Sequence, residues 1–71
     1  MKPEDWIAEF AAAIGVEAPD SATVDELLKL AAVAAHASER RAAPIACYLA
    51  GLSGRSPAEL KDLADDVAPG D

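Results

Sequence analysis

Apolar residues recur at three- and four-residue spacing along most of this chain, and alternation with period two never persists long enough to mark a strand. The pattern predicts an all-α protein. Trp6, Ile7, Phe10, Ala11 and Ile14 share one face of a first helix over 3–14. Pro3 suits its first turn, where a missing N–H is no loss, and Glu4 and Asp5 complement the positive end of the helix dipole. Gly15 is placed to end it in a left-handed turn. Trp6 and Phe10, on one face, are expected as core anchors.

A second helix is predicted over 24–41. Thr23-Val24-Asp25-Glu26 has the form of a capping box, in which the Thr hydroxyl and the Glu carboxylate each satisfy a backbone N–H left free at the helix start. Its apolar stripe reads Val24, Leu27, Leu28, Ala31, Ala34 and Ala35, with Leu27 as the anchor, while Leu30 and Val33 lie off the stripe. Pro44 limits this helix and opens a third over 44–52, because the residue before proline is biased away from helical geometry. The third helix carries Ile45, Tyr48, Leu49 and Leu52 at helical spacing, and Tyr48 and Leu49 are expected to anchor it in the core. Ser56-Pro57-Ala58-Glu59 is a second capping box with proline at the first helical position, and it starts a fourth helix over 57–67. The expected architecture is a compact four-helix bundle forming one domain over 1–71, with 68–71 frayed.

Length and composition narrow the setting. At 71 residues the chain is near the lower limit for a single apolar core, so stability is expected to be modest or shared with another subunit. One cysteine excludes an intrachain disulfide and any zinc site built from several thiolates. The acidic N-terminal stretch is unlike a secretory signal, and His36 and Ser38 interrupt the alanine-rich run well short of the roughly 20 apolar residues of a membrane span. A soluble cytoplasmic protein with no membrane association is expected.

The net charge of −7 argues against nucleic acid as a partner, since that affinity comes largely from neutralising phosphates. The charge is unevenly spread. Residues 1–35 carry −5 and 56–71 carry −4, whereas 36–55 carry +2, from Arg40, Arg41 and Arg55 against Glu39. His36, Arg40, Arg41 and Arg55 are therefore the candidate residues for a partner or an anion. At 100° per residue, Lys29, His36 and Arg40 fall within about 40° on a continuous second helix, opposite its apolar stripe. Two readings of this basic segment stand. Arg40 and Arg41 complement the negative end of the second helix, or they converge with the free N–H groups behind Pro44 on a phosphate or carboxylate.

No catalytic or metal-ligand motif accompanies these residues. His36 has no second His or a Cys beside it, and a lone ligand makes no metal site. Cys47 among apolar neighbours reads as a small buried hydrophobe. Asp20-Ser21-Ala22 invites comparison with the Asp-Ser-Leu motif of acyl carrier proteins, but position 22 is alanine and the loop before the serine is too short. A helix-turn-helix reading of the second and third helices places Ile45, Ala46, Cys47 and Ala50 where Arg, Asn or Gln would read base edges.

The runs WIAEFAAAIGV and VDELLKLAAVAAHASERRAAPIACYLAG together resemble a small, mostly actinobacterial domain of unknown function. That domain occurs alone or fused C-terminally to the guanylyltransferase that attaches GMP to molybdopterin. The similarity runs from Trp6 to about Leu63. Its distinctive part is 33–51, with His36, the Arg41-Ala42-Ala43-Pro44 junction and Leu49-Ala50-Gly51. The resemblance implies a role in molybdenum-cofactor biosynthesis or molybdoenzyme maturation without nucleotidyltransferase activity, because the α/β catalytic domain and its glycine-rich loop are missing from this pattern. The expectation is a non-catalytic interaction module with no cofactor of its own, bound to a protein of that process. The alternatives are a small-anion binding domain for phosphate, nucleotide or molybdopterin, and a self-associating, homo-oligomeric structural protein.

Overall fold

A computed structural model describes residues 1–67, and these form four helices with no strand among them: α1 (Pro3–Ile14), α2 (Ser21–Ala37), α3 (Ala42–Ser53) and α4 (Pro57–Asp65). The all-α small bundle is as expected from periodicity; the expected fraying of 68–71 lies outside the described residues. The two extended interhelical contacts are α2 with α3 and α2 with α4, so α2 is the hub of the body.

The ends of α1 follow local chemistry. Pro3 starts it, and Gly15 adopts φ 77°, the left-handed region that a glycine enters without a Cβ clash. The Gly15 N–H donates to the Ala12 carbonyl at 3.2 Å and the Val16 N–H to the Ala11 carbonyl at 2.9 Å, the paired closure of a Schellman motif. α4 also starts where predicted. Its Ser56 Oγ accepts from the Glu59 N–H at 3.3 Å, but the Glu59 carboxylate turns outward to Arg55 Nη1, also at 3.3 Å. α4 ends at Asp65, short of the expected Val67.

α2 differs from expectation at both ends. It starts at Ser21, and its cap is the Asp20 carboxylate, which accepts from the Thr23 N–H at 2.8 Å. Asp20 and Thr23 are both good caps, spaced three residues apart, and the earlier one wins by adding most of a turn of hydrogen-bonded helix. Asp20 is held below the usual carboxylate range by that backbone hydrogen bond and by a side-chain hydrogen bond to Thr23. The helix stops at Ala37, with Ser38 at φ −133° and ψ −104°. The reason lies in α3, which begins at Ala42 and not at Pro44. Proline in the third helical position forfeits nothing, because that N–H would have no intrahelical acceptor. The turn that launches α3 therefore occupies 39–43, closed by the Ala42 N–H on the Glu39 carbonyl and the Ala43 N–H on the Arg40 carbonyl. α3 runs through Gly51 to Ser53 and ends on Gly54 at φ 71°.

The core is small. Among the described residues only Ala11, Leu30 and Ala50 are buried. Leu30, expected off the apolar stripe, is the most buried of all at 3% exposure, while Leu28, expected on it, is 62% exposed. The cause is the number of partners. A helix that packs against α3 on one flank and α4 on the other must bury an arc of about 200°, from Val33 round through Leu30, Leu27 and Ala31 to Ala35, and the centre of that arc is rotated from the stripe a single partner would use. Leu27 is half-buried inside it. Trp6, Phe10, Tyr48 and Leu49 are more than half exposed and do not anchor the core of this chain. Helical spacing marks a face that calls for cover; it does not say that the same chain supplies it.

Candidate functional site

The corner between α2 and α3 is built by the turn that shortens α2. Arg40 and Arg41 sit in this turn, with Arg41 at the N-cap position of α3. Their charge therefore lies at the positive end of α3 and not at the negative end of α2, where dipole complementation would have explained it. Arg41 is 88% exposed and makes a loose pair with Glu39 at 3.5 Å, itself largely exposed, the kind of contact that adds little to stability. Arg40 is exposed and pairs with no carboxylate among the described residues.

Arg41 also forms part of the rim of an open groove of about 910 Å³ with an apolar floor, lined by Val33 and Ala37 of α2, Pro44, Ile45 and Leu49 of α3, and Ala64 and Val67 beside them. His36 opens into a neighbouring, smaller groove of about 470 Å³ with Lys29, Lys61 and Asp65. The helical ridge predicted from Lys29 through His36 to Arg40 does not exist, because the helix ends before Arg40. What joins Lys29 and His36 is Lys61 from α4, a neighbour that the spacing within α2 has no means of revealing. Lys61 donates to Asp65 Oδ2 at 2.8 Å, and that hydrogen bond, then the carboxylate's charge, raises its pKa.

The four candidate residues are thus not one cluster. Arg40 and Arg41 are adjacent, His36 is nearby on the α4 side of α2, and Arg55 lies past the far end of α3, tied to Glu59. Twelve helical residues, about 18 Å of axis, separate Arg41 from Gly54. Cys47 is a free, half-buried thiol on the α2-facing side of α3. No group of three or more His, Cys, Asp or Glu among the described residues is arranged to hold a metal ion. No helix among them is long and apolar enough to cross a membrane.

A family model described as a domain of unknown function, DUF6457, matches residues 2–70. The chain belongs to this family. No curated protein and no solved structure matches it. Most of the matched residues lie in the four helices and their caps, and the solvent-facing features among the described residues include the arginine corner with its groove and the uncovered apolar faces of α1 and α3.

Proposed function

We propose that this DUF6457 chain is a non-catalytic helical accessory module that binds a protein partner through the α2–α3 corner, in the cytoplasm, in molybdenum-cofactor biosynthesis or molybdoenzyme maturation. The observation that carries the reading is the pairing of chemistries at that corner: the exposed Arg41 at the edge of an apolar groove, with the exposed Arg40 next to it in sequence, in a chain whose net charge is −7. A partner segment with an apolar anchor and carboxylates beside it meets both, and the charge contrast sets its orientation and encounter rate. The process is supported by the resemblance of 33–51, the segment that forms this corner, to an actinobacterial domain found alone or fused to molybdopterin guanylyltransferase. The test is the double variant Arg40→Glu with Arg41→Glu. It is expected to keep its helical circular dichroism, since both side chains are exposed, and to lose capture of a cofactor-synthesis protein or molybdoenzyme that the unmodified chain retains. Undiminished capture removes the corner from the mechanism.

A second reading is favoured by the position of the arginines before α3. There two exposed arginine side chains stand at the positive end of the α3 dipole, which suits a phosphate or pyrophosphate group; the side chains rather than backbone amides would hold it, because the Ala42 and Ala43 N–H groups are bonded to the Glu39 and Arg40 carbonyls and Pro44 has none. NMR titration with pyrophosphate and GMP is then expected to shift the amides of 41–47. No shift in that segment discards this reading and leaves the protein-binding one intact.

A further inference from the structure

α3 is inside out by side-chain size. The face it turns to α2 is Ala43, Ala46, Cys47 and Ala50, whereas Ile45, Tyr48, Leu49 and Leu52 point to solvent. No charged residue occurs between Ala42 and Ser53. A helix apolar on every side belongs in an interior, and here one side of it lies in water. α1 presents the matching defect. Trp6, Ile7, Phe10 and Ile14 are exposed, with Trp6 stacked on Phe10 at a centroid separation of 5.2 Å, and α1 has no extended interface with another helix. At twelve residues, with Ala11 its one buried residue, it is at the margin for a helix with so little tertiary support.

We propose that this DUF6457 chain forms a two-fold homodimer in which α1 of each copy lies antiparallel across the outer face of α3 of the other on its Tyr48 and Leu52 side, leaving the groove beside Ile45 and Leu49 to the protein partner. The exposed area is enough for a large contact. The chain exposes 5493 Å², about 1,300 Å² more than a compact monomer of 7.3 kDa. Withdrawing that excess from both copies buries about 2,600 Å² in total, within the range of obligate homodimers.

The choice of a second copy over another protein rests on fit. α1 and α3 are both twelve residues long, so one covers the other from end to end. α1 has Glu4 and Asp5 in its first turn and no basic residue in its last; α3 has no acidic residue in its first turn and Arg55 just beyond its end. Antiparallel docking sets Glu4 and Asp5 beside Arg55, whose one partner within the chain among the described residues is the exposed Glu59, and the carbonyl end of α1 beside the amide end of α3. Each helix then supplies the charge its partner lacks. Every copy carries both surfaces, so the exchange is reciprocal in the two-fold arrangement proposed, which closes after two chains.

Sedimentation velocity of the full chain from low to high micromolar concentration tests the proposal, read together with emission from Trp6, the one tryptophan. The expected result is a species of twice 7.3 kDa with blue-shifted emission that moves to the red as dilution splits it. Tyr48→Glu, at a side chain 65% exposed in the single chain, is expected to keep the helical signal, fall to 7.3 kDa and shift emission to the red. Trp6→Ser, read by mass alone, is expected to give the same monomer and covers the case in which the charge at position 48 prevents folding. A 7.3 kDa species at all concentrations overturns the proposal, whether its emission is red, meaning bare faces, or blue, meaning that α1 closes on its own chain. A dimer that survives both substitutions also overturns it, by placing the contact elsewhere. The oligomeric state of the unmodified chain is measured without touching Arg40 or Arg41, so failure here is distinct from failure of the partner reading.

Discussion

Truncating Leu30 to alanine should remove most of the stability of the α2–α3–α4 body. Leu30 is 3% exposed and is the one large side chain among the buried residues, so its loss is not shared out over a larger core. Removing three buried carbons forfeits about 2.4 kcal/mol at ~0.8 kcal/mol each. The space left beneath the crossing of α2 with its two neighbours adds a cavity term, and comparable buried leucines lose 2.7–5 kcal/mol in all, about 3 kcal/mol being a moderate value for a helix able to settle inward. A chain of this size has roughly 3–5 kcal/mol to lose. From a starting value of about 4 kcal/mol, some 15% of molecules would be unfolded without denaturant. Urea titration followed by circular dichroism at the helical band reads this directly, with Leu28→Ala as the control. Leu28 is two residues away on the same helix and 62% exposed, so its truncation should change stability by no more than about 0.5 kcal/mol. Equal losses at the two positions would refute the rotated buried arc of α2, and a larger loss at Leu28 would restore the stripe read from spacing. Repeating the titration at several protein concentrations adds a second reading, because a dimer makes the midpoint climb with concentration and a monomer does not.

Two further outcomes are expected from the caps. Asp20 has its folded pKa lowered by its hydrogen bonds to Thr23, so its contribution is present above the ordinary carboxylate pKa and fades as pH falls through the depressed folded value. Asp20→Asn keeps an acceptor at the cap but cannot titrate; acid titrations of stability should show the unmodified chain losing this increment below about pH 4 and the variant lacking it. Gly54→Ala places a Cβ at φ 71°, and although the space around it is open, the left-handed backbone itself should destabilise the α3–α4 connection by about 1 kcal/mol, measured as a lower urea midpoint.

Where sequence and structure agree, the signal is local. Pro3 and Gly15 bound α1, and Ser56-Pro57 starts α4, because each acts through its own backbone within one turn. The start of α2 was ambiguous for the same reason: Asp20 and Thr23 offer equivalent local chemistry, and the choice between them depends on helix length. Its end was set by α3, since only the placement of Pro44 in the third position shows that the turn falls at 39–43 and strips Arg40 and Arg41 from α2. Burial is further from the sequence still. Periodicity identifies Trp6 with Phe10, and Tyr48 with Leu49, as faces that favour cover, and it is silent on whose side chains cover them. The basic segment was legible as charge, whereas Lys61 beside His36 required the packing of α4 on α2.

The hub role of α2 has a kinetic consequence. α3 and α4 are neighbours in sequence, yet among the described residues they share no interface of comparable extent, so neither has a docking site until α2 has formed. A refolding chain therefore cannot begin with the α3–α4 hairpin that its short connection would otherwise favour. α2 and Leu30 should be structured in the transition state, and a substitution there should slow refolding, while changes in α1 should act mainly on events after the body has closed.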